Sequence, residues 1–195
     1  MNNARFDELW GQFQQLHRKE ELRQLVNLVE WFKPKTILEL GVCHGGSFKM
    51  WEEVLPSDGM LIGADRLTVV QWKWKESPKN VLYVQGNLDE ESTVGQVKKS
   101  LAGRQVDFLY IDSNHYYDGV KHHYELFSPL VRDGGIVAFH DIRNAPWGRY
   151  GVGKFLSELK EKYKWMEILV PLPEYTDKYP LRGADGIGII FKEKM

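Results

Sequence analysis

Cysteine is nearly missing: Cys43 is the only one in 195 residues. A lone thiol excludes an internal disulfide and suits a reducing compartment. Charge of one sign is missing too, since 26 Lys and Arg stand against 27 Asp and Glu, for a net charge of −1. A dedicated polyanion binder would carry a basic domain with a clustered patch, so no nucleic-acid partner is expected. No apolar run approaches the roughly 18 residues of a membrane span. Asp7, Glu8 and Arg18 to Glu21 interrupt the first helical stretch, which therefore does not read as a secretory leader, and a cytoplasmic location is expected. Internal repeats and low-complexity tracts are absent, and the length stays below the roughly 250 residues at which chains split. The expectation is one domain over 1–195, with a helical segment at 1–33 and an α/β core at 34–195.

What is present is alternation. Phe6, Leu9, Trp10 and Phe13 recur at helical spacing, as do Leu22, Leu25, Val26, Val29 and Phe32, so 4–32 reads as helix in two pieces ended by Pro34. Strands are expected at 36–41, 60–65, 81–84, 106–112 and 136–141, with helices at 47–54, 90–102, 119–131 and 153–163. Two final strands, 165–170 and 186–191, have only a loop between them. The fourth and fifth strands are almost wholly apolar, as parallel strands covered on both faces are. Five βα units followed by a strand pair predict an α/β fold: a doubly wound, Rossmann-like sheet of seven strands with helices on both faces, the last two strands forming an antiparallel hairpin.

Ligands of such sheets bind beyond the carboxyl ends of the strands. Those ends carry Glu39-Leu40-Gly41, Asp65-Arg66, Gly86-Asn87, Asp112 and His140-Asp141. Each acid alone reads equally well as a solvated loop residue or a cap, but four acidic ends on one sheet edge are a pattern. The first turn, Gly41-Val42-Cys43-His44-Gly45-Gly46-Ser47, places three glycines between strand and helix. Glycine permits positive φ and close backbone approach, and the helix start beyond it exposes N–H groups. The spacing matches neither G-x-G-x-x-G nor the P-loop. Asp65, 24 residues beyond Gly41, would accept both hydroxyls of a ribose, which makes the pair a nucleoside site.

With these residues, the chain resembles the class I S-adenosylmethionine-dependent methyltransferases over about residues 20–191. ELGVCHGGS is similar to their first motif, GADR to the ribose-binding acid, and Gly86-Asn87 to the adenine-side position. The segment 111–142, IDSNHYYDGVKHHYELFSPLVRDGGIVAFHDI, resembles the subgroup of cephalosporin-hydroxylase-like proteins and macrolide-sugar O-methyltransferases. The resemblance implies a cofactor set of Glu39, Gly41, Gly45, Gly46, Ser47, Asp65, Arg66, Asn87 and Asp112. It implies a divalent metal such as Mg²⁺ at Asp112 and Asp141, with His140 joining them, and His115 as general base together with Asp112 as catalytic residues. Two departures stand out: His140-Asp141 replaces a Glu-Asp pair, and His123 replaces a usual acid.

The sulfonium needs little acid–base help, so catalysis rests on orienting the acceptor and removing its proton. A base near pKa 7 or a metal-acidified hydroxyl would serve. Mg²⁺ would suit the two carboxylates, and histidine ligation favours softer ions. Against this, His115 reads also as a loop histidine bonding carbonyls, and Asp112 as a contact of the cofactor amine or substrate while Asp141 caps a loop. His122 and His123 read as scaffold, and Cys43 as a small buried filler. Trp72 and Trp74, interleaved with Lys73 and Lys75, read as a solvated loop beside the adenine rather than a nucleic-acid surface. Arg143, Trp147, Arg149 and Tyr150, with Tyr175 and Tyr179, read as a lid made movable by Gly148, Gly151 and Gly153.

The leading expectation is an O-methyltransferase of a small-molecule hydroxyl, on a sugar or natural product. A nicotinamide-dependent oxidoreductase, a non-catalytic cofactor-binding subunit and an RNA methyltransferase stay open as alternatives. The N-terminal helices offer a surface for a homodimer.

Overall fold

The computed structural model describes residues 1–13, 17–67, 80–143, 150–171 and 185–194. Helices α1 (Asn3–Gln12) and α2 (Lys19–Phe32) open the chain. Then come β1 (Thr36–Leu40), α3 (Gly46–Val54), β2 (Met60–Asp65), β3 (Asn80–Gln85), α4 (Glu91–Leu101) and β4 (Val106–Ile111). The remainder is α5 (Tyr117–Phe127), β5 (Val131–Arg143), α6 (Val152–Lys160), β6 (Tyr163–Ile168) and β7 (Asp185–Lys194). Whatever joins β2 to β3 within 68–79, where a helix would complete the second βα unit, lies outside the described residues.

The sheet order is β3-β2-β1-β4-β5-β7-β6. The first five strands run parallel, while β7 is antiparallel to both β5 and β6. The expected seven-stranded, Rossmann-like sheet with a reversed terminal pair is therefore what forms. Alternation along the strands sends side chains to two separate cores. Leu38, Leu40, Leu109 and Ile111 pack beneath α4, α5 and α6, whereas Ile37, Phe108 and Tyr110 pack beneath α1, α2 and α3. Trp51 of α3 meets Phe108 and Tyr110 edge-on at 5.4 and 5.6 Å, filling the second core.

Several boundaries differ from expectation. The fifth helix stops at Phe127, because Pro129 lacks an N–H and the chain tightens into a 3₁₀ turn at Ser128–Leu130. β5 then begins at Val131, so Asp133-Gly134-Gly135 lies inside the strand, where Val106 pairs with Val131 across an irregularity. β6 starts at Tyr163 rather than 165, and α6 ends at Lys160. At the other end of the chain, α2 closes on Lys33 in the left-handed conformation, immediately before Pro34. Among the described residues no helix is long and apolar enough to cross a membrane.

Candidate active site

The carboxyl ends of β1, β2 and β4 are stitched together by backbone bonds: Gly41 N–H donates to Ala64 O at 2.9 Å, and Asp112 N–H to Leu40 O at 2.9 Å. Parallel register alone brings the predicted strand-end residues to one edge. The turn after β1 is left-handed at Gly41 (φ 87°), Cys43 (φ 47°) and Gly45 (φ 79°), and α3 starts at Gly46. A Cβ on Gly41 would sit 2.1 Å from the Asp112 carbonyl oxygen, so this glycine is demanded first by the protein's own packing.

Asp65 is buried, and each of its oxygens holds a turn. Oδ2 accepts from Cys43 N–H at 2.8 Å and Oδ1 from Leu67 N–H at 3.0 Å. Each oxygen keeps a further lone pair for a ligand. Arg66 is exposed, and Asn87 is engaged locally, accepting from Asp89 N–H and donating to Glu90, both at 3.3 Å. Ser47 Oγ donates to the fully buried Glu39. Burial pushes the Glu39 carboxyl well above its ordinary value; the Ser47 bond opposes this, while the charges of Asp112 and Asp65 add to it. Cys43 corrects the expectation of a buried filler: it is partly exposed, with its N–H committed to Asp65.

At the ends of β4 and β5 the predicted catalytic residues converge. His115 Nε2 lies 3.3 Å from Asp112 Oδ1 and 3.1 Å from Asp141 Oδ2. His140 Nδ1 lies 3.2 Å from Asp112 Oδ1 and 3.3 Å from Asp141 Oδ1. Asp141 adopts φ 61°, a strained position for a residue with a Cβ. Burial works against charge on Asp112, but His140 and hydrogen bonds from His115, His140 and His17 hold its carboxyl well below the usual range. Burial likewise opposes charge on His115 and His140, yet Asp112 and then Asp141 raise both, His140 to about 9. Asp141 rises to about 6, mainly through burial.

Sequence reasoning missed His17, on the connection between α1 and α2. Its Nε2 lies 2.8 Å from the Tyr110 hydroxyl and 3.1 Å from Asp112 Oδ2. Nothing about a single histidine between two helices signals this, because only the packing of the N-terminal segment delivers it. Glu21 was missed as well. It is wholly buried, accepting from Gly186 N–H at 3.1 Å and Arg143 at 3.2 Å, and a carboxylate bordering the Leu22-Leu25-Val29 stripe was a readable sign. Arg143 also pairs with Asp185, and Asp185 with Arg18 at 2.9 Å. The expected lid role of Arg143 thus gives way to a tie between α2 and β7.

Tyr150 does stack on His115, at 5.0 Å between ring centroids. Gly151 and Gly153 are close-packing positions, since a Cβ would lie 2.5 Å from Tyr117 N and 2.2 Å from Ile142 O respectively. His122 and His123 fasten α5 to Asp89, and His123 also bonds Ser113 at 2.7 Å. Trp72, Lys73, Trp74, Lys75, Trp147, Gly148, Arg149, Tyr175 and Tyr179 lie outside the described residues.

The sheet, with its terminal antiparallel pair, its glycine turn after β1 and its acidic strand ends, has a methyltransferase-type architecture. The profile of the family described as "Methyltransferase domain" matches residues 38–142, more than half of the chain, and the chain belongs to that family. It is similar to the O-methyltransferase TomG of Streptomyces achromogenes, solved with S-adenosylmethionine: 18% identity, 89% of this chain and 80% of that one covered, TM-score 0.67. It is similar also to an O-methyltransferase of Bacillus cereus solved with S-adenosylhomocysteine: 17% identity, 98% and 92% covered, TM-score 0.66. Among curated proteins it is 24% identical over 177 residues to the uncharacterized protein y4gI of Sinorhizobium fredii. That match takes in 84% of this chain but 18% of the relative, so the chain spans under a fifth of that protein's length.

Proposed function

We propose that this chain binds S-adenosylmethionine and transfers its methyl group to a hydroxyl of a small molecule, a sugar or hydroxylated natural product. The observation that carries the reading is the touch between the two halves of the site. Gly41 and Asp112 pack backbone to backbone, so a donor seated on the Gly41–Ser47 turn would meet the His115–Asp112–Asp141 cluster at its reactive end. Glu39, Asp65 and Asp112 form an acidic surround that suits a ligand carrying a sulfonium and an ammonium.

Three tasks fall to the chain's own residues. Asp65 holds the ribose and keeps the turn closed. His115, stacked on Tyr150, donates its Nε2–H to the two carboxylates and takes the acceptor proton at its other ring nitrogen, Nδ1, while Asp112 and Asp141 stabilise the resulting imidazolium. The turn and the β4 end set the line between methyl and oxygen, where most of the acceleration arises. Asp112, with His140 and Asp141, has the donors to hold a divalent ion, which would acidify an acceptor hydroxyl when bound.

Calorimetric titration with S-adenosylmethionine and, separately, NAD tests the cofactor. A screen for S-adenosylhomocysteine release against glycosides, catechols and RNA tests the acceptor. Asp65→Ala is expected to weaken S-adenosylmethionine by about 1.5–3 kcal/mol per charged hydrogen bond lost, roughly 10–100-fold. Unchanged affinity in a folded variant, or binding of NAD instead, would overturn the assignment.

A further inference from the structure

We infer that His17, Asp112 and His140 form a metal centre for a divalent transition ion of the Mn²⁺-to-Zn²⁺ series rather than Mg²⁺, with one ligand supplied by the N-terminal helical segment. The inference deepens the site proposed above and rests on that reading only for the role of the site, not for its ligands. One ligand atom from each of the three residues lies within 4.8 Å of the other two. The two imidazoles face one another at 4.4 Å between centroids, and their side chains are only 5% and 6% exposed.

The spacing fits a metal cradle as well as an ion pair. Hydrogen bonds between charged nitrogen and carboxylate close to about 2.7–2.9 Å. Here His17 Nε2 and His140 Nδ1 stand 3.1 and 3.2 Å from the two oxygens of Asp112. Atoms that share an ion at about 2.0–2.2 Å stand roughly 3.0–3.5 Å apart along the edges of a tetrahedron or octahedron. His17 Nε2 faces the Tyr110 hydroxyl, which carries its own proton and can donate to it, as well as Asp112. Two buried polar atoms, His17 Nδ1 and His140 Nε2, make no hydrogen bond, and Asp141 Oδ1 makes none although it lies 3.3 Å from His140 Nδ1.

Chemistry then selects the ion. Mg²⁺ prefers oxygen ligands and gives up water reluctantly, while imidazole suits Zn²⁺, Fe²⁺, Co²⁺ and Mn²⁺. Two imidazoles with one carboxylate leave coordination positions free on the side of His115 and Asp141, a second convergent group that shares His140. Because His17 precedes α2, a bound ion would also fasten the N-terminal helices to the strand ends, adding to the Arg18–Asp185 and Glu21–Arg143 ties.

The test uses the full chain, stripped with chelator and titrated with Co²⁺, Zn²⁺ and Mg²⁺ by calorimetry and, for Co²⁺, by visible absorption. Co²⁺ and Zn²⁺ should bind and raise the melting temperature, with Mg²⁺ weaker by roughly 10²-fold or more. His17→Gln should weaken Co²⁺ by at least roughly 10-fold and shrink the thermal shift, while affinity for S-adenosylmethionine stays within a few-fold. His17→Cys guards against misfolding, since it should restore cobalt binding with a thiolate-to-cobalt absorption band absent from the wild type. Equal binding of Mg²⁺ and Co²⁺, wild-type cobalt affinity in His17→Gln, or no ion binding at all would overturn the centre. S-adenosylmethionine binding on the same samples reports on the methyltransferase reading separately, so the two can fail independently.

Discussion

Replacing His115 by alanine is expected to lower kcat by roughly 10²-fold or more while leaving the binding of S-adenosylmethionine intact. The expectation follows from placement. His115 Nε2 faces Asp112 and Asp141 at 3.3 and 3.1 Å, beyond the strand end that touches the glycine turn. Asp112, Asp141 and His140 are the charged groups that face it, and Tyr150 covers its ring. Their net effect is to raise His115 above the ordinary imidazole value of 6.5. A base acts when deprotonated, so log kcat/KM should climb with pH and level off only above an inflection higher than that value. The alanine variant should lose the inflection. A loop histidine that merely braces carbonyls would behave differently: the melting temperature would fall and the pH profile would keep its shape. Persistence of both the rate and the inflection would move the base to another residue, with His140 the next to examine.

Gly41→Ala should be the most damaging single change to the fold of the site. The added Cβ would lie 2.1 Å from the Asp112 carbonyl oxygen, 2.7 Å from its carbon and 2.9 Å from Ser113 Cα, all backbone atoms that cannot swing aside. The φ of 87° adds a left-handed penalty for any residue with a Cβ. Together these are worth about 2–4 kcal/mol, by the usual scale for overpacking and left-handed strain. For a chain of this size that lowers Tm by roughly 5–15 °C. Cofactor affinity should drop as well, because shifting β4 away from β1 opens the turn. Thermal melts paired with S-adenosylmethionine titration check it, and a variant with wild-type Tm and affinity would show that the turn tolerates a side chain.

Much of the architecture was legible because it depends on local pattern. The near-continuous apolar runs ILEL, MLIGAD, VDFLYI and IVAFHD require burial on both faces, and parallel strands set their acidic ends on one edge without further information. Glu39, Gly41, Asp65, Asp112, His115, His140 and Asp141 could therefore be picked out in advance. Boundaries such as the early start of β5 were not legible, since Val131 joins the sheet through a partner 25 residues away rather than through its neighbours.

By itself the sequence determined the order of elements, the reversed last pair and the glycine turn after β1, since each follows from spacing, glycine geometry and hydrophobic period. Only the tertiary structure decided which residues meet at the ends of β4 and β5. It brought His17 from the N-terminal segment to Asp112, drew Arg143 away to Glu21 and Asp185, and made Gly41 a packing contact with the β4 end. The reason is physical: pattern reports which face of a segment is buried, whereas a contact between residues 95 positions apart exists only once helices have been packed against the sheet.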